Sequence, residues 1–315
     1  MIAPSGYLKK VLVTGANGFI GRHVADFGLQ RGIEVIPTDI VGDQSGGTLR
    51  TLDISDATAV RHLLSETRPT AIIHLAAQGV YPGDAISAII RTNIIGTSNI
   101  FEAIKALSLP VAVVVAGSCF EYGDCAGRIR ESDPQIPISP YGVSKVASSS
   151  LARLCSSSIP VTLLRPFGVY GPREGSTRLL PAIVRSALAG ERVRLTPGAQ
   201  MRDFTFVGDM AEAFWRALQI TTQPGHYQEL NAGSGAEVSV REFATLVASE
   251  LDRRNIGSEL DFGAIPYRPN EAMRYVPDIS GMERALGWKP GTSLATGIQI
   301  TIAELLGDSD WERQA

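Results

Sequence analysis

Cysteine is scarce: Cys119, Cys125 and Cys155 are the only three in 315 residues, and no two form a Cys-x-x-Cys pair. An odd, unpaired set gives no disulfide framework and reads as reduced thiols, so a cytoplasmic location is expected. The four histidines, His23, His62, His74 and His226, are scattered without ligand spacing, so no metal site is expected. No apolar run approaches the about 20 residues that a membrane span needs, and no membrane partner is expected. The opening residues Met1-Ile2-Ala3-Pro4-Ser5-Gly6-Tyr7 lack a basic stretch followed by an apolar core, so no signal peptide is expected. Neither sign of charge dominates: 29 Lys and Arg against 32 Asp and Glu leave −3 at pH 7. That balance gives no reason to expect a nucleic-acid partner.

What is present is a globular composition, 44% hydrophobic and 19% charged, in a chain long enough for one large α/β domain and a smaller lobe. Apolar runs of strand length alternate with helical segments. Lys10–Thr14, Glu34–Asp39, Leu49–Leu52, Ala71–Ala76, Val111–Ala116 and Val161–Phe167 read as strands. Phe19–Arg31, Asp56–Glu66, Ile86–Leu107 and Tyr141–Ser156 read as helices. The alternation predicts a parallel sheet covered on both faces, and the run Val111-Ala112-Val113-Val114-Val115 suits a strand buried on both. After Phe167 the pattern loosens at Gly171-Pro172, Pro197-Gly198, Pro224-Gly225 and Pro266–Pro269, with helix starts near Arg178, Gly208, Val240, Ser280 and Leu294.

The loop Thr14-Gly15-Ala16-Asn17-Gly18-Phe19-Ile20-Gly21 joins the first strand to its helix. Its three glycines allow a tight turn, close approach of pyrophosphate to the backbone, and close packing of helix on strand, while the helix start offers free N–H groups to the anion. Gly15, Asn17, Gly18, Phe19, Ile20 and Gly21 are the expected cradle. Asp39 ends the second strand, 18 residues after Gly21. A carboxylate there accepts from the adenosine ribose hydroxyls and repels a 2′-phosphate, which favours NAD over NADP. Arg22 pulls the other way, because a guanidinium suits a 2′-phosphate.

Tyr141-Gly142-Val143-Ser144-Lys145 adds chemistry. On a helix the phenol and ammonium lie on one face, about one turn apart. An adjacent cation favours phenolate, so the pair is expected to bring the tyrosine toward neutral-pH proton exchange.

The glycine spacing, the Tyr–Lys pair and the motifs around them resemble the extended short-chain dehydrogenase/reductases, the nucleotide-sugar epimerase/dehydratase family, over nearly the whole chain. The resemblance implies a Rossmann-type α/β fold, a doubly wound parallel sheet with a smaller, interleaved C-terminal substrate lobe. The expected NAD-binding domain is residues 1–167 with sheet contributions from about 203–235, and the expected nucleotide-sugar lobe is 168–202 and 236–315. Asp53-Ile54 resembles the adenine-contacting pair, and His74-Leu75-Ala76-Ala77 the strand beside the cofactor, with His74 a packing residue. Asn93 resembles the asparagine that organises the active-site lysine and water. Within Gly117-Ser118-Cys119-Phe120-Glu121-Tyr122-Gly123, the resemblance makes Ser118 catalytic, completing a triad with Tyr141 and Lys145; the latter two also contact the cofactor.

Pro166-Phe167-Gly168-Val169-Tyr170-Gly171-Pro172 resembles the loop from nicotinamide to sugar, with Gly168 where many relatives carry Asn. Pro166 is assigned to the cofactor and Gly168 to the substrate. Arg202, Arg268 and Glu271 resemble contacts to a nucleoside diphosphate, whose paired oxygens suit the guanidinium fork. Family 4,6-dehydratases place Asp-Glu where this chain has Cys119 and Phe120, and decarboxylases place Glu at the latter, so both activities are disfavoured. An NDP-hexose 4-epimerase is the expectation. An NAD(P)H-dependent 4-keto-6-deoxyhexose reductase is the alternative, favoured by Glu121-Tyr122. A non-catalytic scaffold is a third reading, opposed by the complete triad. The helices Ile86–Leu107 and Tyr141–Ser156 resemble those that pair as a four-helix bundle in family homodimers.

Overall fold

The computed structural model describes residues 9–42, 48–79, 83–125, 127–268 and 271–307. Seven parallel strands form the main sheet: β1 (Lys10–Thr14), β2 (Glu34–Asp39), β3 (Arg50–Thr51), β4 (Ala71–His74), β5 (Ala112–Ala116), β6 (Val161–Pro166) and β7 (Tyr227–Ala232). Their spatial order is β7-β6-β5-β4-β1-β2-β3. This is the expected doubly wound sheet. β7 joins it from late in the chain, pairing Tyr227–Ala232 with Val161–Pro166.

Strand periodicity explains the two cores. Successive side chains point to opposite faces. Val11, Val13, Ile73, Val114 and Leu164 therefore pack beneath α1 (Phe19–Leu29), while Leu12, Ile72, Val113, Val115 and Leu163 pack on the other face beneath α2 (Ala57–Thr67). The next helical segment is continuous but irregular: α3 (Ile86–Ile89), a π-helical stretch Ile90–Ile95, then α4 (Gly96–Ala106). The sequence periodicity predicted one plain helix here. The π-helical turn, a form often found at functional sites, carries Asn93. α5 (Pro140–Cys155) starts with Ser139 as its N-cap and proline at the first turn, so the chain enters this helix just before Tyr141.

α6 (Leu179–Leu188), α7 (Val207–Ile220), α8 (Val240–Arg253), α9 (Ser280–Leu286) and α10 (Leu294–Leu305) follow. α7 belongs to the main sheet's flank, since Trp215 donates to the Val24 carbonyl at 2.8 Å and stacks on Phe27. α6, α8 and α10 enclose a separate cluster built on Ile183, Val184, Phe243, Val247, Ile298 and Ile302. Among the described residues, no helix is long and apolar enough to cross a membrane.

Candidate active site

β1 and β4 are neighbours in space although β2 and β3 lie between them in sequence. Chain connections leave in opposite directions at such a switch point and open a crevice at the carboxyl ends of the strands. Gly15 lies there with φ +70°, and a Cβ on it would come within 2.6 Å of the Ala76 nitrogen. A Cβ on Gly21 would collide with the Gly15 carbonyl, so both positions require glycine for close packing. Gly18 is the N-cap of α1 and supplies no side-chain hydrogen bond, which leaves the N–H groups of the first turn, beginning Phe19-Ile20, for an anion. Asp39 stands at the rim, its Oδ2 accepting from the Asn17 nitrogen at 2.9 Å. Arg22 donates to Asn17 Oδ1 at 2.7 Å. The uncapped helix start and the carboxylate beside it fit a dinucleotide.

Asp53 accepts from the Ser55 nitrogen at 2.8 Å, and the carbonyl of buried Ile54 takes a bond from Asn99 at 2.9 Å, which holds this loop on α4. Leu75, Ala76 and Ala77 continue from β4 into the crevice, and Pro166 ends β6. His74 bridges Thr14 and Thr97 at 2.7 and 3.0 Å. Burial lowers its pKa to about 3, so it is a neutral wedge and not a base.

Ser118, Tyr141 and Lys145 converge from two elements. Ser118 follows β5 and caps a short turn, Cys119–Glu121, its hydroxyl accepting from the Phe120 nitrogen at 3.2 Å. The same hydroxyl lies close enough to the Tyr141 phenol to favour its ionised form. Lys145 donates to the Ala116 carbonyl at 2.9 Å and lies 5.8 Å from the centre of the Tyr141 ring. Burial lowers the ammonium to about 8, with Glu121 opposing. The phenol differs from expectation. Burial pushes it above its ordinary value, the nearby Ser118 hydroxyl pulls it down, and Cys119 and Glu121 push it further up. In this enclosed site desolvation dominates, and the lowering comes from Ser118, not from the helix-face cation.

Asn93 fixes the helix that carries the pair. Its amide donates to Ser144 Oγ and to the Gln78 carbonyl, both at 2.8 Å, and its own carbonyl accepts from Ser148 at 2.6 Å. Ser144 and Ser148 lie on either side of Lys145 in sequence and were not singled out from it. The mark they leave in the sequence is two serines spaced four apart around Lys145; their burial is seen only in the structure.

A line of rings runs outward from the phenol. Phe120 meets Tyr141 and Tyr275 edge-on at 5.9 and 5.8 Å, and Arg202 lies 5.5 Å over Tyr275. Arg202 donates to Glu271 at 2.9 Å and to the Ala272 carbonyl at 2.7 Å, so two of the predicted lobe residues pair directly. Arg268 is exposed nearby in the chain, its carbonyl accepting from the Glu271 nitrogen at 3.0 Å. Gly168 gives its carbonyl to the Thr205 nitrogen at 2.8 Å, and a Cβ there would collide with the Asp203 carbonyl. Any side chain at 168 would force these two segments apart.

Residues 11–233 match the NAD dependent epimerase/dehydratase family. The chain belongs to that family. It is 30% identical to the dTDP-glucose 4,6-dehydratase of Xanthomonas campestris pv. campestris, covering 95% of this chain and 94% of the relative. It is also 30% identical to the UDP-glucose 4-epimerase of Mycolicibacterium smegmatis, covering 93% and 97%. Among solved structures, MoeE5 in complex with UDP-glucose and NAD superposes with a TM-score of 0.81 at 30% identity, covering 97% of this chain and 99% of the other. Family membership makes the protein an NAD-dependent enzyme of nucleotide-sugar chemistry, as the glycine loop and Asp39 anticipated.

Proposed function

We propose that the protein is an NDP-hexose 4-epimerase working through Ser118, Tyr141 and Lys145. One observation carries the choice: the loop bearing Ser118 turns no carboxylate toward the phenol. Cys119 is buried and its thiol is pushed up to about 12, Phe120 is hydrocarbon, and Glu121 is directed inward onto Arg165. Dehydration across C5 and C6 needs an acid and a base at those carbons. Carbonyl formation and reduction at one carbon needs one proton carrier.

When bound, oxidised NAD supplies the hydride acceptor and a positive charge on its ring. Tyr141 takes the proton of the sugar hydroxyl as the carbonyl forms and returns it when the carbonyl is reduced on its other face. Ser118 donates to the reacting oxygen. Lys145 favours the phenolate electrostatically and contacts the nicotinamide ribose. Gly15, Asn17, Gly18, Phe19, Ile20, Gly21, Asp39, Asp53, Ile54, Leu75, Ala76, Ala77, Asn93 and Pro166 form the NAD site. Arg202, Arg268 and Glu271 take the nucleoside diphosphate, with Gly168 along the sugar.

The second reading is a 4-keto-6-deoxyhexose reductase, favoured by the Glu121-Tyr122 pair. Denaturing the purified protein and identifying the released nucleotide separates the two. Stoichiometric NAD, together with interconversion of C4-epimeric nucleotide sugars, supports the epimerase. Empty protein that consumes added NADH or NADPH with a keto-sugar makes it the reductase.

The same reading includes a homodimer. Ile86, Ile90 and Ile95 on the α3–α4 segment and Val143 and Leu154 on α5 are exposed, Leu154 at 75%. A second copy would bury such apolar groups, favourably by about 25 cal/mol per Å². Sedimentation should give twice the 33.6 kDa chain mass, and Leu154→Glu should shift it to monomer; a monomeric wild type refutes this assembly.

A further inference from the structure

Among the described residues, Glu121 is the carboxylate that acts on both Tyr141 and Lys145, and the proposed chemistry leaves it without a part. It is fully buried, and its ion-pair partner Arg165, 44 residues away on β6, is fully buried too, at 2.7 Å. Each carboxylate oxygen has two partners. Oε1 accepts from the Ser118 nitrogen at 2.9 Å and from Ser149 Oγ at 3.0 Å. Oε2 accepts from Arg165 Nε at 2.7 Å and from Gln135 Nε2 at 3.3 Å. The carboxylate thus ties three elements together: the loop holding Ser118, the helix α5 holding Tyr141 and Lys145, and strand β6.

The local chain is built to admit it. A Cβ on Gly117 would come within 2.5 Å of Glu121 Oε1 and 2.8 Å of Arg165 Cγ. Ser118 and Glu121 form a reciprocal capping box, so the turn that aims the Ser118 hydroxyl is closed by Glu121 itself. Arg165 is anchored in turn by Glu229 at 2.8 Å and by the Tyr122 hydroxyl at 3.1 Å. An ion pair this deeply buried is a weak source of net stability, because desolvation offsets the attraction. Its four directed bonds do fix geometry.

We infer that Glu121 is a positioning residue, which holds the Ser118 hydroxyl in register with the Tyr141 phenol by bolting the Ser118 backbone to α5 and β6. This rests on the reading that Ser118 and Tyr141 carry the proton chemistry. Misplacing a reacting group by about 1 Å costs on the order of 100-fold in rate, and a loosened loop costs part of that.

The test uses the full chain with its co-purified nucleotide. Glu121→Gln leaves one acceptor oxygen where there were two, so its amide N–H₂ opposes either the Arg165 Nε–H or the Ser118 N–H. The paired replacement Glu121→Leu with Arg165→Met removes the ion pair while keeping the interior apolar and filled, so folding survives even where Glu121→Gln fails to fold. In the folded variants kcat falls about tenfold while KM for the nucleotide sugar stays within about twofold. In a Ser118→Ala background the same changes cost less than about twofold, because the positioned group is gone. A structural role predicts equal losses in both backgrounds, and that result, or an unchanged kcat, overturns the inference.

Hydrogen exchange gives a readout independent of turnover. The Ser118 amide exchanges at least about tenfold faster in the variants while the β5 amides do not change; equal Ser118 rates overturn the inference. A wild-type protein inactive on every nucleotide sugar would sink the proposed function, yet the exchange measurement would still decide the part played by Glu121.

Discussion

The Phe120 ring meets the Tyr141 ring edge-on at 5.9 Å. A hydrocarbon edge therefore lies beside the phenol, at the position where the family resemblance leads one to expect a carboxylate in a dehydratase. Phe120 is 39% exposed, so it also presents apolar surface outward. Phe120→Glu should place a negative charge by the phenol, raise its pKa further and slow turnover about tenfold at neutral pH. A pH–rate profile should show the rising limb moved to higher pH; an unmoved limb would mean that Tyr141 does not titrate in the rate-limiting step.

Tyr141→Phe keeps the ring that packs on Phe120 and removes only the hydroxyl. Turnover should drop by roughly 100- to 10,000-fold, while calorimetric affinity for the nucleotide sugar changes by no more than a few-fold. Retained turnover would refute the proton role.

Lys145 makes stability depend on pH in a definite direction. Its folded pKa, about 8, lies below the ordinary 10.5 because the ammonium is buried. Below about 8 both folded and unfolded chains carry the proton, and the cost of burying the charge is fully present. Between about 8 and 10.5 the unfolded chain binds more protons, so this contribution improves with pH and the penalty disappears above that window. Lys145→Met should therefore stabilise the nucleotide-free protein at pH 7 by on the order of 1–2 kcal/mol, after the loss of the bond to Ala116, and abolish turnover. Urea denaturation at pH 7 and pH 10 should show the advantage shrinking at the higher pH.

Asp39 should set cofactor choice. Asp39→Asn keeps the shape of the acceptor for the Asn17 nitrogen but removes the charge that repels a 2′-phosphate. The preference for NAD over NADP should fall about tenfold or more in binding titrations. An unchanged ratio would assign discrimination to residues other than Asp39.

Much of the sheet was legible in the sequence because strand periodicity and buried Val/Ile runs are local signals. Lys10–Thr14 and Glu34–Asp39 form strands at the expected limits. Expected strands ended early where apolar residues leave the ladder for the crevice, as Leu75 and Ala76 do after β4. The π-helical turn at Ile90–Ile95 was not legible, since one widened turn barely disturbs helical periodicity.

The sequence alone determined the glycine loop, the acid that follows it and the Tyr–Lys spacing, because each depends on residues near one another in the chain. Only the tertiary structure decided the environment of those groups. Phenol ionisation reflects burial gathered from several elements, and it runs opposite to the expectation drawn from the helix alone. The ring line from Arg202 through Tyr275 and Phe120 to Tyr141 joins the paired short strands that hold Arg202 and Tyr275 to the turn after β5 and to α5. The Glu121–Arg165 pair spans 44 residues and becomes meaningful only when β5, β6 and α5 close around it. Desolvation and long-range hydrogen bonding are properties of the packed interior, and no local pattern of residue types encodes them.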